Sequence, residues 1–313
     1  MNWETKIFQN HSNSSFEKLS LEIFRFQAKN NHIYKTYLRY LGVNPDEVKQ
    51  INQIPYLPIE FFKQENVVCK PNNIDTVFTS SGTSGMQSKH IVHDISIYEK
   101  SFTSGFEHFY GNIKDYTVLA LLPSYLERSG SSLIYMCEKL IKHSGKKESG
   151  FYLNDHKELN NLLLELELQN RKTLLIGVSF ALLDFVEKHP VGLKNTIVME
   201  TGGMKGRRQE MVREELHRVL SKHFNLSSIH SEYGMTELLS QAYSKGDGVF
   251  QCPPWMRVSF RDTNDPLSNN KKSGGINIID LANVYSCSFI ASQDLGEIHE
   301  NNTFEVLGRF DSS

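Results

Sequence analysis

The chain has 313 residues, 39% of them hydrophobic, with 34 basic and 36 acidic side chains and a formal charge of −2. That is enough apolar material for one large core or two ordinary ones, and the near-balanced charge gives no electrostatic case for a nucleic-acid partner. The start, MNWETKIFQNHSNSS, has neither the basic nor the apolar region of a secretory leader, and no apolar run approaches the ~18 residues of a membrane span, so a cytoplasmic protein is expected.

Residues 14–65 are helical in texture. SSFEKLSLEIFRFQAKN puts Phe16, Leu19, Ile23, Phe24 and Phe26 near helical spacing, and YKTYLRYLGV ends at Gly42. IPYLPIEFFK carries Pro55 and Pro58 and reads as an extended connector whose Phe61 and Phe62 join the core. Beyond a Gly/Ser stretch, Asp94 or Ser96 caps a helix through His108, and strand and helix patterns then alternate. YTVLALLP, RKTLLIGV, NTIVMET and LSSIHSEYG read as strands; GSSLIYMCEKLIKHSG, HKELNNLLLELELQ, ALLDFVEKH and RRQEMVREELHRVLSKHF read as helices. The alternation predicts an α/β fold, a mainly parallel sheet flanked by helices. From Gly248 the texture changes to short strands, WMRVSFRD, GGINIIDL, SCSFIAS, GEIHE and TFEVLGRF, which predict a C-terminal antiparallel β layer. The expected organisation is one domain over 1–313, with a helical lead-in over 1–75, an α/β part over 76–245 and a β-rich part over 246–313.

The stretch from Val77 to His90, VFTSSGTSGMQSKH, is the most pointed in the chain. Gly82 and Gly85 lack a Cβ, so the loop can curl and expose successive backbone N–H groups, and Thr79, Ser80, Ser81, Thr83 and Ser84 add hydroxyls. Such a loop suits phosphate oxygens, although it is no Walker loop, since Gln87 stands where that motif needs its second glycine. Ligands in parallel sheets sit beyond the carboxyl ends of the strands. Here the Gly/Ser loop follows VFTS, PSYLERSG follows YTVLALL, TGGMKGRR follows NTIVME and SEYGMTE follows SSIH. Cys69, Cys137, Cys252 and Cys287 form no C-x-x-C pair and read as buried small apolar residues. His90 and His93 are three apart, but no third ligand type stands near enough to favour a metal site over a surface pair.

The ordered series FTSSGTSG, LPSYLERSG, TGG, SEYGMTE, SQDLG and LGRFD resembles the adenylate-forming superfamily of acyl-CoA ligases and luciferases, and within it the LuxE-type acyl-protein synthetases. The resemblance implies the large N-terminal domain of that superfamily and ATP-dependent activation of a carboxylic acid, a fatty acid in this branch, with the acyl group passed to a thiol or protein acceptor. It implies ATP and Mg2+ as cofactors. On it, Thr79, Ser80, Ser81, Gly82, Thr83, Ser84 and Gly85 hold the β- and γ-phosphates, with Lys89 as the basic residue that follows. Glu232, Tyr233, Gly234, Met235, Thr236 and Glu237 form the segment in which the aromatic residue lies by adenine, the threonine meets the α-phosphate and the glutamate holds Mg2+. Gly202 and Gly203 let backbone approach the adenine, Asp294 receives the ribose hydroxyls, and Arg309 reaches the ribose or phosphate. Arg128, in the loop Ser124 to Gly130, borders the carboxylate.

Two departures qualify the expectation. Only Ser312 and Ser313 follow Asp311, so the mobile C-terminal domain with its lysine is expected to be absent, and no cysteine follows Cys287 to act as the acceptor. Two other readings stand beside the ligase: a non-catalytic nucleotide- or acyl-binding module, and a serine acyl-hydrolase. The second rests on the nucleophile-elbow texture Gly177-Val178-Ser179-Phe180-Ala181, with Glu232 and His299 as triad partners.

Overall fold

The computed structural model describes residues 2–9, 11–72, 74–81, 86–123, 129–203, 211–265, 267–268 and 271–310. Its N-terminal elements are α1 (Trp3–Ile7), α2 (Asn13–Asn30), α3 (His32–Tyr40), β1 (Leu57–Pro58), α4 (Phe61–Gln64), β2 (Thr76–Thr79), β3 (Lys89–Val92) and α5 (Ile95–Tyr110). The middle of the chain gives β4 (Thr117–Leu121), α6 (Ser132–Ser144), β5 (Gly150–Phe151), α7 (His156–Leu168), β6 (Thr173–Gly177), α8 (Ser179–Lys188), β7 (Thr196–Glu200), α9 (Arg213–Phe224) and β8 (His230–Tyr233). Then follow β9 (Ala242–Ser244), β10 (Val249–Gln251), β11 (Met256–Arg261), β12 (Ser273–Asp280), β13 (Phe289–Ile298) and β14 (Phe304–Arg309). Two compact units interleave along the chain. The first comprises Met1–Ser104, Met235–Gln241 and Gln251–Ser313, and the second Gly105–Gly234 and Ala242–Phe250.

The second unit is the expected parallel sheet. β5, β4, β6, β7 and β8 pair parallel in that order, and β9 adds antiparallel to β8. Every residue of β4 and β6 is buried, which explains why TVLAL and TLLIG run apolar without alternation: helices cover both faces of such a sheet. The helices between are punctuated by local chemistry. Ser131 caps α6 by accepting from the Ile134 amide, and Gly145, at φ 64°, ends it in the left-handed region.

The first unit carries the antiparallel layer, β11-β12-β13-β14, with the two-residue β1 joined parallel to β13 through Leu57↔Ile290. The predicted strands SCSFIAS and GEIHE are one strand, β13, because a register shift between Leu295 and Gly296 lets the pairing with β14 continue past the break in apolar pattern. Gly296 is required there: a Cβ on it would lie 2.3 Å from the Glu305 carbonyl oxygen. Helix α2 buries Phe16, Leu19, Ile23 and Phe24 as predicted, and also Gln27, whose amide donates to the carbonyls of Asn283 and Val284 and to Ser288 Oγ. β2 and β3 form a separate hairpin, with Thr79 opposite Lys89.

Candidate functional site

The strands of the hairpin β2–β3 flank the Gly/Ser stretch in the sequence. Beyond the last ladder pair the Ser80 amide donates to the Ser88 carbonyl (3.1 Å) and the Ser88 amide to Ser80 Oγ (3.0 Å), so the two serines close the stem. Thr79 and Ser80 are half-buried, whereas Ser81 and Lys89 are exposed. Gly82, Thr83, Ser84 and Gly85 lie outside the described residues, as does Arg128 in its loop.

Ser88 links the hairpin to a second predicted element of the same unit. Its hydroxyl acts on the Glu237 carboxylate, which is buried. Burial raises the Glu237 carboxyl above its ordinary value, and the Ser88 hydroxyl, its own backbone amide and the positive Arg309 and Lys63 pull against that rise. Glu237 therefore sits where two cations and a hydroxyl act on one carboxylate. Arg309, on β14, stands opposite Asp294 on β13 and donates from Nε to Asp294 Oδ1 at 3.0 Å. Asp294 is buried and oriented from behind: its amide donates to Ser292 Oγ, which donates in turn to the Ile276 carbonyl. Buried Arg261 ties the same stretch together, donating to the carbonyls of Ile276 and Ser292 and to Asn277 Oδ1.

The segment Thr236–Ser240 has no regular secondary structure, and it is held group by group. Thr236 is half-buried and its carbonyl accepts from His90 Nδ1 at 2.9 Å. The Glu237 carbonyl accepts from Asn283 Nδ2 at 2.8 Å. Asp280 takes the next groups, accepting from the amides of Leu239 (2.8 Å) and Ser240 (3.0 Å), from Ser240 Oγ (2.5 Å) and from the Ala282 amide (3.0 Å). An irregular segment buried this deeply must place its polar groups on side chains, because no ladder supplies partners. Met235 is half-buried at the start of this segment.

In the first unit, then, Ser88 stands between the base of the Gly/Ser loop and Glu237, Arg309 acts on Glu237 and pairs with Asp294, and Thr236, next to Glu237 in the chain, is held by His90. Pattern reading missed Ser88, Lys63, His90, Asn283 and Asp280. Ser88 and His90 alone left a sequence signal, their places on either side of Lys89 in the loop stretch.

The second unit holds the remaining predicted residues. Gly202 and Gly203 have φ of 71° and 88°, backbone that only glycine adopts freely, and they lie one residue past the end of β7. Glu200, the last residue of β7, is buried, and its carboxylate accepts from the Gly202 amide at 2.6 Å, from Ser179 Oγ at 3.3 Å and from Arg213 Nε at 3.4 Å, with His217 Nε2 at 3.5 Å. Burial opposes its ionisation, yet hydrogen bonds from His217, Ser231 and Gly202 with the charge of Arg213 bring it down to about 2. Glu232 shows the reverse: fully buried and beside the charged Glu200, its carboxyl is pushed up to about 8. Tyr233 packs its ring 5.8 Å from Phe250, and Gly234 is exposed.

Ser179 does not have the surroundings of a hydrolase nucleophile. Its hydroxyl donates to Glu200, a carboxylate, and the proposed triad histidine, His299, bonds Glu305 at 3.0 Å. The cysteines are all free. Cys69, Cys137 and Cys287 are buried as expected and Cys252 is half-buried; burial raises every thiol, Cys252 and Cys287 to about 12 and the other two further. None of the four is poised as a thiolate.

With the geometry in place, the comparisons bear first on the fold. The fold is that of the large N-terminal domain of adenylate-forming ligases. A 2-hydroxyisobutyryl-CoA ligase solved with 2-HIB-AMP superposes over 96% of this chain and 68% of its own, with TM-score 0.68 and 11% identity. ATP-bound MatB from Rhodopseudomonas palustris superposes over 77% of this chain and 49% of its own, with TM-score 0.56 and 16% identity. In sequence the chain is similar, over part of its length, to the LuxE-type acyl-protein synthetases. The family acyl-protein synthetase, LuxE, matches residues 6–114. The "long-chain-fatty-acid--luciferin-component ligase" of Vibrio harveyi is 24% identical over 310 residues, covering 91% of this chain and 81% of that protein. The protein of the same name from Photorhabdus luminescens is 35% identical over 74 residues, 23% of this chain and 63% of its own.

Proposed function

We propose that the chain is an adenylating acid ligase: it activates a carboxylic acid, most simply a long-chain fatty acid, and hands the acyl group to a thiol or protein acceptor. In the first step a carboxylate oxygen attacks the α-phosphorus of ATP, the bond from that phosphorus to the bridging oxygen breaks, and pyrophosphate leaves with the electron pair. Little of this needs covalent help from protein, so positioning and charge neutralisation carry it.

The observation that carries the reading is Glu237. Ser88, at the base of the Gly/Ser loop, Arg309 and Lys63 all act on one buried carboxylate, and Arg309 pairs with Asp294. That is a set of groups suited to a polyphosphate and a ribose diol. In this reading Thr79 to Gly85 take the phosphate tail with Lys89 at its edge, Thr236 meets the α-phosphate, and Asp294 and Arg309 face the ribose. Gly202, Gly203 and the segment Glu232 to Gly234 serve the adenine, and Arg128 borders the acid. A hard oxygen donor such as Glu237 fits Mg2+, which binds through one or two carboxylates plus substrate phosphates, and which when bound neutralises charge on the departing pyrophosphate.

The test is isotopic exchange between pyrophosphate and ATP across a panel of fatty and aryl acids. We expect exchange with at least one long-chain acid, and a loss of about 100-fold or more in Glu237→Gln with an unchanged melting temperature. Folded protein that exchanges with no acid on the panel overturns the proposal.

A further inference from the structure

The segment that carries Thr236 and Glu237 is fixed by side chains that touch neither residue's functional group. His90 is fully buried on β3, with the Phe62 ring set perpendicular to its own at 5.7 Å between centroids. A carbonyl oxygen can only accept, so the 2.9 Å contact with Thr236 requires the proton on Nδ1. Burial pushes the imidazole down to about 4, so it is neutral near pH 7 and Nε2 is a bare acceptor. Among the described residues Nε2 has no hydrogen-bond partner, nor does Nδ1 of His93. His90 and His93 both line a small cavity of about 10 Å³, together with Leu239, Ala282 and Tyr285. That is about the space one water needs, and a water bound there would give Nε2 a donor. The next peptide group is treated alike, the Glu237 carbonyl accepting from buried Asn283.

We propose that His90 is a positioning residue for the adenylation step: its Nδ1–H holds the Thr236 carbonyl, and a single water in the His90–His93 cavity keeps the ring in the tautomer that does so. The inference rests on the ligase reading above. The pattern is that of a partner which orients a functional residue from behind, whose loss costs roughly 10- to 100-fold in activity.

Two variants separate positioning from packing, because both remove the same buried ring. In His90→Asn the side-chain N–H falls near the place of Nδ1 and can still reach the Thr236 carbonyl. In His90→Gln the amide is carried one bond further out, near the place of Nε2. We expect His90→Asn to keep kcat for pyrophosphate exchange within about threefold and His90→Gln to lose about tenfold or more, with the KM for the acid unchanged and the two melting temperatures alike. A second readout needs no activity: hydrogen exchange of the amides in 235–240, faster by about tenfold in His90→Gln than in His90→Asn. Equal kcat in the two variants together with equal amide exchange overturns the inference. A wild-type protein without pyrophosphate exchange overturns the ligase reading instead, and the amide comparison then decides by itself whether His90 holds the segment.

Discussion

Glu200 offers the sharpest energetic test. Its carboxyl lies at about 2 in the fold against 4.5 as the ordinary value, a difference of about 2.5 units, or about 3 kcal/mol at roughly 1.4 kcal/mol per unit. Because the folded value lies below the unfolded one, this stabilisation is present in full above pH 4.5 and is lost as pH falls through 4.5 toward 2. Glu200→Gln keeps the shape but removes the charge that Gly202, Arg213 and His217 face. Urea unfolding of both proteins at intervals between pH 7 and pH 2 should show the wild type ahead by about 3 kcal/mol at pH 7. The gap should close toward acid, leaving a pH-independent remainder from the changed hydrogen bonding. A gap that stays constant from pH 7 to pH 2 would refute the view that a charged Glu200 anchors the turn at Gly202.

The neighbouring Glu232 should behave in the opposite sense. Its folded value of about 8 lies above the ordinary 4.5, so wild-type stability should decline as pH rises through the window between them, and Glu232→Gln should lack that decline. Urea midpoints at pH 5, 7 and 9 measure it. Arg309 is 79% exposed at its side chain, and Arg309→Ala should cost less than about 1 kcal/mol in unfolding free energy. The same variant should raise the KM for ATP about tenfold if the guanidinium meets nucleotide as well as Asp294; calorimetric unfolding and exchange kinetics on one preparation give both numbers.

Much of the architecture was legible because it rests on burial periodicity. The runs TVLAL and TLLIG announce strands covered on both faces, and the spacing of Phe16, Leu19, Ile23 and Phe24 announces α2. Polar residues in core positions were not legible. Gln27 sits on the apolar stripe of α2 because three groups near residue 284 need its amide, a demand that is set hundreds of residues away and leaves no local trace. β13 was divided in two because its alternation breaks at Leu295 and Gly296, where a register shift carries the pairing on. In the site, residues within short motifs were found and those that support them were missed. Thr236 and Glu237 stand in a recognisable string, while His90, Asp280 and Asn283 act through single hydrogen bonds across the chain, and no spacing rule registers those.

Those cross-chain ties bear on how the protein comes to life. The Thr236–Ser240 stretch leans on His90, made 146 residues earlier, and on Asp280 and Asn283, made 40 and 46 residues later. A ribosome that has delivered the signature string has therefore delivered His90 but not yet Asp280 or Asn283. Contacts so distant along the polymer close late in folding, and chemical competence should arise as one of the last events in the maturation of the first unit.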